Sequence, residues 1–404
     1  NSNTASNNTA VGYQAAYSNT TGQEITAVGR FALNANTTGN NSTATGVQAL
    51  QSNTTGADNA SFGRLGLGAN TTGSYNTSVG SAALRNNTTA SNNTAVGYQA
   101  AFSNTTDGEN TAVGSRAFYS NTTGNRNVAI GRDALYSNTT ADGNVAVGYA
   151  SLDANTTAEG NTAVGFYSLS GNTTGTSNTA LGFQALYANT TASSNTAVGY
   201  QAAYSNTTGA TNTALGQWSL YDNTSGSNNV AIGRDALQNN TTAVRNTAVG
   251  YQAGYSVATG SYNVLIGDEA GKDLTVYSST FVGSAAGENV TSGYGNSLFG
   301  RKAANKLTSG ITNVIMGYYA GDDLTTGSNN TAVGAYSLGN TTTASNNTAV
   351  GFAAGYSNTT GARITAIGNG ALFENTTGND NTAVGWNTLD ANTTGINNIA
   401  MGRD

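Results

Sequence analysis

The chain has 404 residues, a net charge of −6 and only 8% charged side chains. This composition offers no cationic surface for nucleic acid or for an anionic membrane. Cysteine, histidine and proline are absent, which excludes disulfides, thiol chemistry and histidine-dependent catalysis. No apolar run approaches the roughly 18 residues of a membrane span. We therefore expect no nucleic-acid partner and no membrane insertion.

A glycine recurs every seventeen residues, from Gly12 to Gly267 and, after the loss of one residue, from Gly283 to Gly402. The pattern occurs twenty-four times without a missing glycine. A fixed period of this length indicates a solenoid. It predicts one repeat array over residues 1–404 rather than two or three globular domains. Positions below are numbered relative to this glycine, which is position 0.

The three residues before the glycine read Thr-Ala-Val or a close variant, as in Thr196–Val198. Alternation with a period of two and β-branched residue types predict a short strand, with positions −3 and −1 facing the interior. The glycine then marks a corner, where φ must be positive or a side chain would clash. Representative corner glycines are Gly12, Gly97, Gly199, Gly267, Gly283 and Gly402.

Beyond the corner, position +4 is most often leucine, and an Asn-Thr-Thr-Gly turn closes the repeat. One coil would bury one valine-sized and one leucine-sized side chain, about 4–5 kcal/mol. The predicted fold is all-β, a parallel β-solenoid of the β-roll or β-helix kind with 24 coils of 17 residues. At about 4.8 Å per coil, the array would be roughly 115 Å long.

Residues 254–327 depart from this pattern. Position +4 tends to be glycine there, and Leu274, Leu307 and Leu324 stand where other coils have the turn asparagine. We interpret these leucines as replacing the lost +4 leucine in the core. The segment is predicted to be a set of variant coils within the same array.

Asn1 and Asp404 both fall in the middle of a repeat. Solenoid ends without polar caps expose unpaired strand edges, which favour pairing with another chain. Two compatible explanations stay open: the sequence is an excerpt of a longer array, or subunits associate end to end.

The NTAVG segments and variants such as NVAIG at 127–131 and 229–233 resemble the NSVAIG-type repeats of trimeric autotransporter adhesin heads. They are also similar to repeats of bacterial surface proteins and phage-tail-fibre-like proteins. The resemblance implies a left-handed parallel β-roll that assembles as a homo-oligomer and is displayed outside the cell or at its surface for adhesion.

Seventeen coils carry Asn-Thr-Thr or Asn-Thr-Ser at position +7, which matches the N-glycosylation acceptor on a turn predicted to be exposed. The neighbouring threonines, such as Thr20 and Thr21, are alternative O-glycan sites. The other interpretation is a stacked ladder of turn-forming amides and hydroxyls. The candidate asparagines are Asn19, Asn36, Asn53, Asn70, Asn87, Asn104, Asn121, Asn138, Asn155, Asn172, Asn189, Asn206, Asn223, Asn240, Asn358, Asn375 and Asn392.

Aromatic residues occupy position +1 in four successive coils, at Tyr149, Phe166, Phe183 and Tyr200. This aromatic strip could bind sugar rings, or it could be a ladder that stabilises the sheet or a subunit interface. Further aromatics recur at position +5. Arginines at position +1, such as Arg30 and Arg132, are expected to be solvated.

The acidic residues give little indication of a calcium site or a catalytic site. Asp268, Glu269, Asp273, Asp322 and Asp323 could supply oxygen ligands for calcium. No calcium-roll repeat accompanies them, so the expected cofactor is none. No carboxylate pair recurs, and a 17-residue coil leaves little room for a catalytic cleft. The chain is therefore expected not to be an enzyme.

These features predict a structural protein, an extracellular fibre or surface appendage that self-associates and carries glycans on its turns. The alternative is an adhesin head or tail-fibre-like module that binds cell-surface carbohydrate. Uniform coils favour the fibre, whereas a local break with clustered aromatics would favour the binder.

Overall fold

The computed structural model describes residues 5–403, so Asn1 and Asp404 lie outside it. It divides into two compact units, Asn1–Gln201 and Ala202–Asp404. Each unit is an all-β parallel solenoid whose described residues form short strands and turns but no helix. The first unit contains β1 Thr9–Val11, β2 Thr26–Val28, β3 Thr43–Thr45, β4 Ala60–Phe62, β5 Thr77–Val79, β6 Thr94–Val96, β7 Thr111–Val113, β8 Val128–Ile130, β9 Val145–Val147, β10 Thr162–Val164, β11 Thr179–Leu181 and β12 Thr196–Val198.

The second unit repeats the same arrangement. Its strands are β13 Thr213–Leu215, β14 Val230–Ile232, β15 Thr247–Val249, β16 Val264–Ile266, β17 Thr280–Val282, β18 Ser297–Phe299, β19 Val314–Met316, β20 Thr331–Val333, β21 Thr348–Val350, β22 Thr365–Ile367, β23 Thr382–Val384 and β24 Ile399–Met401. The predicted fold class and the 17-residue period are therefore confirmed.

Within each unit, a strand pairs in parallel with the equivalent strand of the next coil. Between β7 and β8, for example, Thr111 lies opposite Val128 and Val113 lies opposite Ile130. Turn residues bond between coils as well: the N–H groups of Leu33 and Thr37 donate to carbonyls of the next coil at 3.0 and 2.9 Å. Because proline has no N–H to donate, this dense bonding accounts for its absence from the chain.

The corners of each coil depend on left-handed backbone. Positions +2, +4 and +12 adopt positive φ, as at Gln99 (53°), Ala101 (49°) and Asn92 (62°). Such a conformation costs a residue other than glycine on the order of 1 kcal/mol. It persists because bonds to neighbouring coils fix each turn.

The corner glycines occupy a region of φ that only glycine adopts readily. Their φ values are 130° at Gly12, 139° at Gly97, 136° at Gly199, 138° at Gly267, 140° at Gly283 and 138° at Gly402. Space is short as well, since a Cβ on Gly114 would lie 2.5 Å from the carbonyl oxygen of Gly131. The corner therefore requires glycine for two reasons: its φ is positive, and a side chain would clash with the next coil.

The interior of each coil differs from the sequence prediction. The alanine at position −2 points inward, with Ala112 and Ala129 fully buried, whereas positions −3 and −1 face outward and Phe62 is 45% exposed. The prediction that −3 and −1 face the interior is therefore wrong. The leucine at +4 and the asparagine at +7 also point inward, so the narrow interior has room for only a methyl group from the strand.

The variant coils show the same limit on interior volume, because a larger residue at position −2 accompanies a smaller residue at position +4. Position −2 becomes large there, at Leu265, Phe281, Leu298 and Ile315. Position +4 becomes glycine in three of these four coils, at Gly271, Gly287 and Gly321. Leu274, Leu307 and Leu324 are buried, which confirms that they fill the core. Volume lost at +4 is thus restored at −2 and +7.

The variant coils are one residue short between Gly267 and Gly283, and the deletion lies in a turn. Strand register is preserved, because Val264 still lies opposite Thr280. The Asn263 side chain donates to the carbonyl of Val276, thirteen residues on, whereas Asn246 bonds Gly260, fourteen residues on. The deletion therefore falls between Leu274 and Ser279, where it leaves the ladder intact.

We expect Gly271→Leu to destabilise its coil by about 2–3 kcal/mol through overpacking. A Cβ at Gly271 would lie 2.7 Å from Cδ2 of Leu265 and 3.0 Å from Cδ2 of Phe281. Adding Leu265→Ala should recover at least half of that loss, since the two positions share one space. A double-mutant cycle of local hydrogen-exchange free energies measures the coupling. Purely additive effects would show that −2 and +4 do not share the interior.

Candidate functional site

The aromatic strip at Tyr149, Phe166, Phe183 and Tyr200 is a continuous stack. Successive ring centroids lie 5.1, 5.5 and 5.2 Å apart, with interplanar angles of 16°, 3° and 6°. The last three residues are 40–45% exposed. Because each ring covers the face of its neighbour, solvent reaches mainly the ring edges. The arrangement fits an aromatic ladder better than a set of open platforms for sugar rings.

The aromatics at position +5 form a second column. Phe102, Tyr119 and Tyr136 stack with centroids 5.2 Å apart and planes within 8°. Tyr204 and Tyr221 do the same in the second unit. Position +2 lies between the +1 and +5 columns, and separate hollows open there over Ala150 in the first unit and over Ala353 in the second.

Sequence reasoning missed a role for the arginines at position +1. Arg132 is exposed, as expected, yet its guanidinium lies 5.6 Å from the ring centroid of Tyr149. Arg234 lies between Trp218 and Tyr251, at 5.7 and 5.8 Å. These distances suit cation–π attraction. The signal was in the sequence, because Arg132 and Arg234 each have a tyrosine at position +1 of the next coil.

The seventeen candidate glycosylation asparagines form a buried amide ladder. Asn121 is fully buried, and its Nδ2 donates to Oδ1 of Asn104 at 2.8 Å and to the Gly124 carbonyl at 3.0 Å. Its Oδ1 accepts from Nδ2 of Asn138 at 3.1 Å. Fifteen of the set are buried, and Asn19 and Asn392 are half-buried.

The prediction that these asparagines are exposed is therefore wrong. A sugar on Nδ2 would replace a hydrogen that the ladder uses and would have no space inside the coil. We therefore expect no glycan on these asparagines in the folded chain. The accessible hydroxyl of the turn belongs instead to position +9, where Thr38 and Thr55 are exposed. The threonine at +8 is bonded to the next coil, as Thr37 Oγ1 is to the carbonyl of Thr54 at 3.0 Å.

The amide ladder ends where the variant coils begin. Asn240 donates from Nδ2 to Asn223, but its buried Oδ1 has no hydrogen-bond partner. The next residue in the column is Val257, which has no polar side-chain atom to donate. This interruption of the ladder thus leaves the buried Oδ1 of Asn240 unsatisfied.

The acidic residues considered for calcium do not converge. Lys272 pairs with Glu269 at 2.8 Å, and Lys306 pairs with Asp323 at 2.5 Å. Across residues 5–403, no three acidic side chains come close enough to hold a metal ion.

Asp153 is a half-buried carboxyl group that borders the hollow over Ala150 in the first unit. Burial raises its pKa above the usual 3.8, and a hydrogen bond from Ser170 Oγ at 2.6 Å opposes that rise. A raised pKa means that the protonated form is favoured on folding. The stability that this group contributes is therefore present at low pH and is lost as pH rises through its folded pKa.

We expect Asp153→Asn to remove that pH-dependent loss. Local hydrogen-exchange free energies of the coils around Asp153, at about pH 3 and about pH 7, measure it for the variant and the wild type. The wild type should lose more stability between the two conditions than the variant does, because all other titrating groups are shared. An equal change in both proteins would show that Asp153 does not contribute.

Comparison with protein-family models finds no match, and comparison with curated proteins finds none either. The described residues also hold no helix with the length and apolarity that a membrane span requires. The repeats and the fold are those of a structural repeat protein of the β-solenoid class.

Proposed function

We propose that the chain is the subunit of an extracellular fibre or surface appendage and that it self-associates side by side. One observation carries the proposal: the apolar side chains at position −1 stand on the outer face of the strands. We call this row the outer stripe. Phe62, Ile130, Leu181, Leu215 and Met316 in it are 38–47% exposed.

Aligned strands place these side chains about 4.8 Å apart along each unit. Single exposed apolar residues are ordinary on protein surfaces, but a contiguous row marks an interaction site. A second copy of this chain carries the same row with the same spacing, so two stripes match along their length. Burial between chains would add apolar contact that each thin coil lacks. Lateral association is therefore the form of self-association that the geometry supports.

The outer stripe is tested by replacing Val79, Ile130 and Leu181 together with threonine. Thr45 already occupies position −1, and its strand pairs normally with both neighbours, so the coils should stay intact. Light scattering at micromolar concentration should show oligomers for the wild type and a lower mass for the variant. A monomeric wild type, or a variant of unchanged mass, would contradict the proposal.

We infer that sugar carried by the native fibre is attached to the exposed threonines at position +9. The buried amide ladder supports this, because it leaves the threonine hydroxyl as the accessible acceptor of the turn. Peptide mapping of native material should place hexose-type mass additions on residues such as Thr38 and Thr55. Additions on Asn53 or Asn121 instead would contradict the inference.

The second candidate function is an adhesin-type module that grips glycans through the aromatic strip. Exposed ring edges at Phe166, Phe183 and Tyr200 favour it, whereas the stacked faces weigh against it. Replacing Tyr149, Phe166, Phe183 and Tyr200 together with serine should leave binding to a glycan array unchanged if the strip is only structural. Loss of a wild-type glycan signal would favour the adhesin.

A further inference from the structure

Between the +1 and +5 columns of the second unit, two neighbouring hollows open where small residues replace larger ones. Ala353 occupies position +2 there, and Gly339 occupies position +5 one coil earlier. A hollow of about 450 Å³ opens over Ala353, and a second of about 120 Å³ opens beside Gly339. Tyr336 and Tyr356 border both, so the two hollows adjoin.

The rings around these hollows are only partly stacked. Tyr336 stands at 79° to Phe352 and at 77° to Tyr356, with centroids 6.0 and 6.4 Å apart. Tyr356 stacks on Phe373 with centroids 5.3 Å apart, and Tyr319 stacks on Tyr336 at 6.0 Å. Phe352 meets Tyr336 only at a steep angle and is 54% exposed, so its ring has surface open to a ligand.

A carboxylate borders the smaller hollow. Oδ1 of Asp322 is buried and has no hydrogen-bond partner. Its neighbour Asp323 is engaged by Lys306. A desolvated carboxylate oxygen without a donor is costly to maintain. Negative charge beside aromatic faces favours a cation, because both attract positive charge.

The first unit shows how such a place is filled. A hollow of about 290 Å³ over Ala150, also at position +2, holds the guanidinium of Arg116 at its edge. That group lies 5.3 Å from the Tyr136 ring centroid and 2.9 Å from Asp133. Two coils before Ala353, the position equivalent to Arg116 is Tyr319. The second unit thus has a tyrosine where the first unit has the arginine, and its carboxylate, Asp322, stands at position +5 instead of +2. Its own cations, Arg301 and Lys302, lie on the Tyr319 ring at 5.7 and 5.3 Å, and neither borders the hollow over Ala353.

We propose that the adjoining hollows over Ala353 and Gly339 form a binding site for a small organic cation of the alkylammonium class. The cation would lie against Phe352 and Tyr356, with Asp322 as its counter-charge. This inference does not depend on the proposed structural function, since a fibre subunit and an adhesin could equally carry such a site.

The test compares choline with 3,3-dimethylbutan-1-ol, which has the same shape without the charge, by titration calorimetry on the full chain. We expect choline to bind with a Kd on the order of 1 mM and the neutral alcohol to bind at least about threefold more weakly. Glucose is the third ligand. Equal binding of the alcohol, binding of glucose alone, or no binding of choline would overturn the proposal.

Two variants localise the site. Ala353→Gln fills the larger hollow with the residue that stands at position +2 in other coils, such as Gln99 and Gln252, so folding should be preserved. It should abolish choline binding. Asp322→Asn should weaken binding about threefold to tenfold by removing the counter-charge. Phe183→Ser, in the aromatic strip, is the control and should bind like the wild type. Full binding by Ala353→Gln would place the ligand elsewhere and overturn the assignment.

Discussion

Replacing Gly114 with alanine is expected to open the coils around it, at a cost of about 3–5 kcal/mol. Gly114 has a φ of 136°, and a Cβ there would lie 2.5 Å from the Gly131 carbonyl oxygen and 2.6 Å from its carbon. Both contacts are with backbone, so no side chain can move to relieve them. The neighbouring coil would have to shift, and its strand would lose register with β7.

Local hydrogen exchange is the suitable measurement, because long repeat arrays do not unfold in a single two-state step. Amides of β7 and β8 should exchange much faster in the variant. Gly143→Asn is the matched control: its φ of 65° suits asparagine, and nothing lies within 4 Å of the added Cβ. Its exchange should match that of the wild type. Equal protection in Gly114→Ala would mean that the corner does not need glycine.

Breaking the amide ladder is expected to cause the second large loss of stability. Asn121→Ala should destabilise its coil by about 2–4 kcal/mol, because it removes the donor to Asn104 and the acceptor for Asn138 within the buried interior. The N–H of Gly124 also loses its side-chain acceptor, whereas the Gly124 carbonyl keeps one donor, Nδ2 of Asn110 at 2.9 Å. We expect faster exchange across coils on both sides, since the ladder connects them.

Thr341→Val is the matched control for the ladder. Thr341 occupies the same position, +7, and is fully buried, but its Oγ1 has no hydrogen-bond partner. Replacing that hydroxyl with a methyl group should leave stability unchanged or raise it by about 1 kcal/mol. If Asn121→Ala were as mild as Thr341→Val, the asparagines would act as turn formers and not as a ladder.

The period, the strands and the corner could be predicted because glycine, threonine and valine have local conformational preferences. Which face of the strand points inward could not be predicted by polarity, since the coil is too narrow for valine and buries Ala112 instead. The sequence did contain the answer. Where position −2 enlarges to Leu265 or Phe281, position +4 shrinks to glycine, and only residues that share a space need to compensate in this way.

The candidate sites were harder to predict, because a residue type does not specify its surroundings. Asn121 and its equivalents match a glycosylation acceptor, yet their amides face inward and bond one another. The hollow over Ala353 carries no motif at all. It arises where two small residues, in adjacent coils, interrupt two columns of larger side chains, which becomes visible only when the coils are stacked.

Cryo-electron microscopy of the native assembly tests the structural proposal most directly. The account predicts a layer spacing near 4.8 Å, outer stripes packed against another copy of the chain, and added density on the exposed threonines with none on the buried asparagines. Separate single chains whose outer stripes face solvent, or glycan density extending from Asn121 and its equivalents, would contradict it.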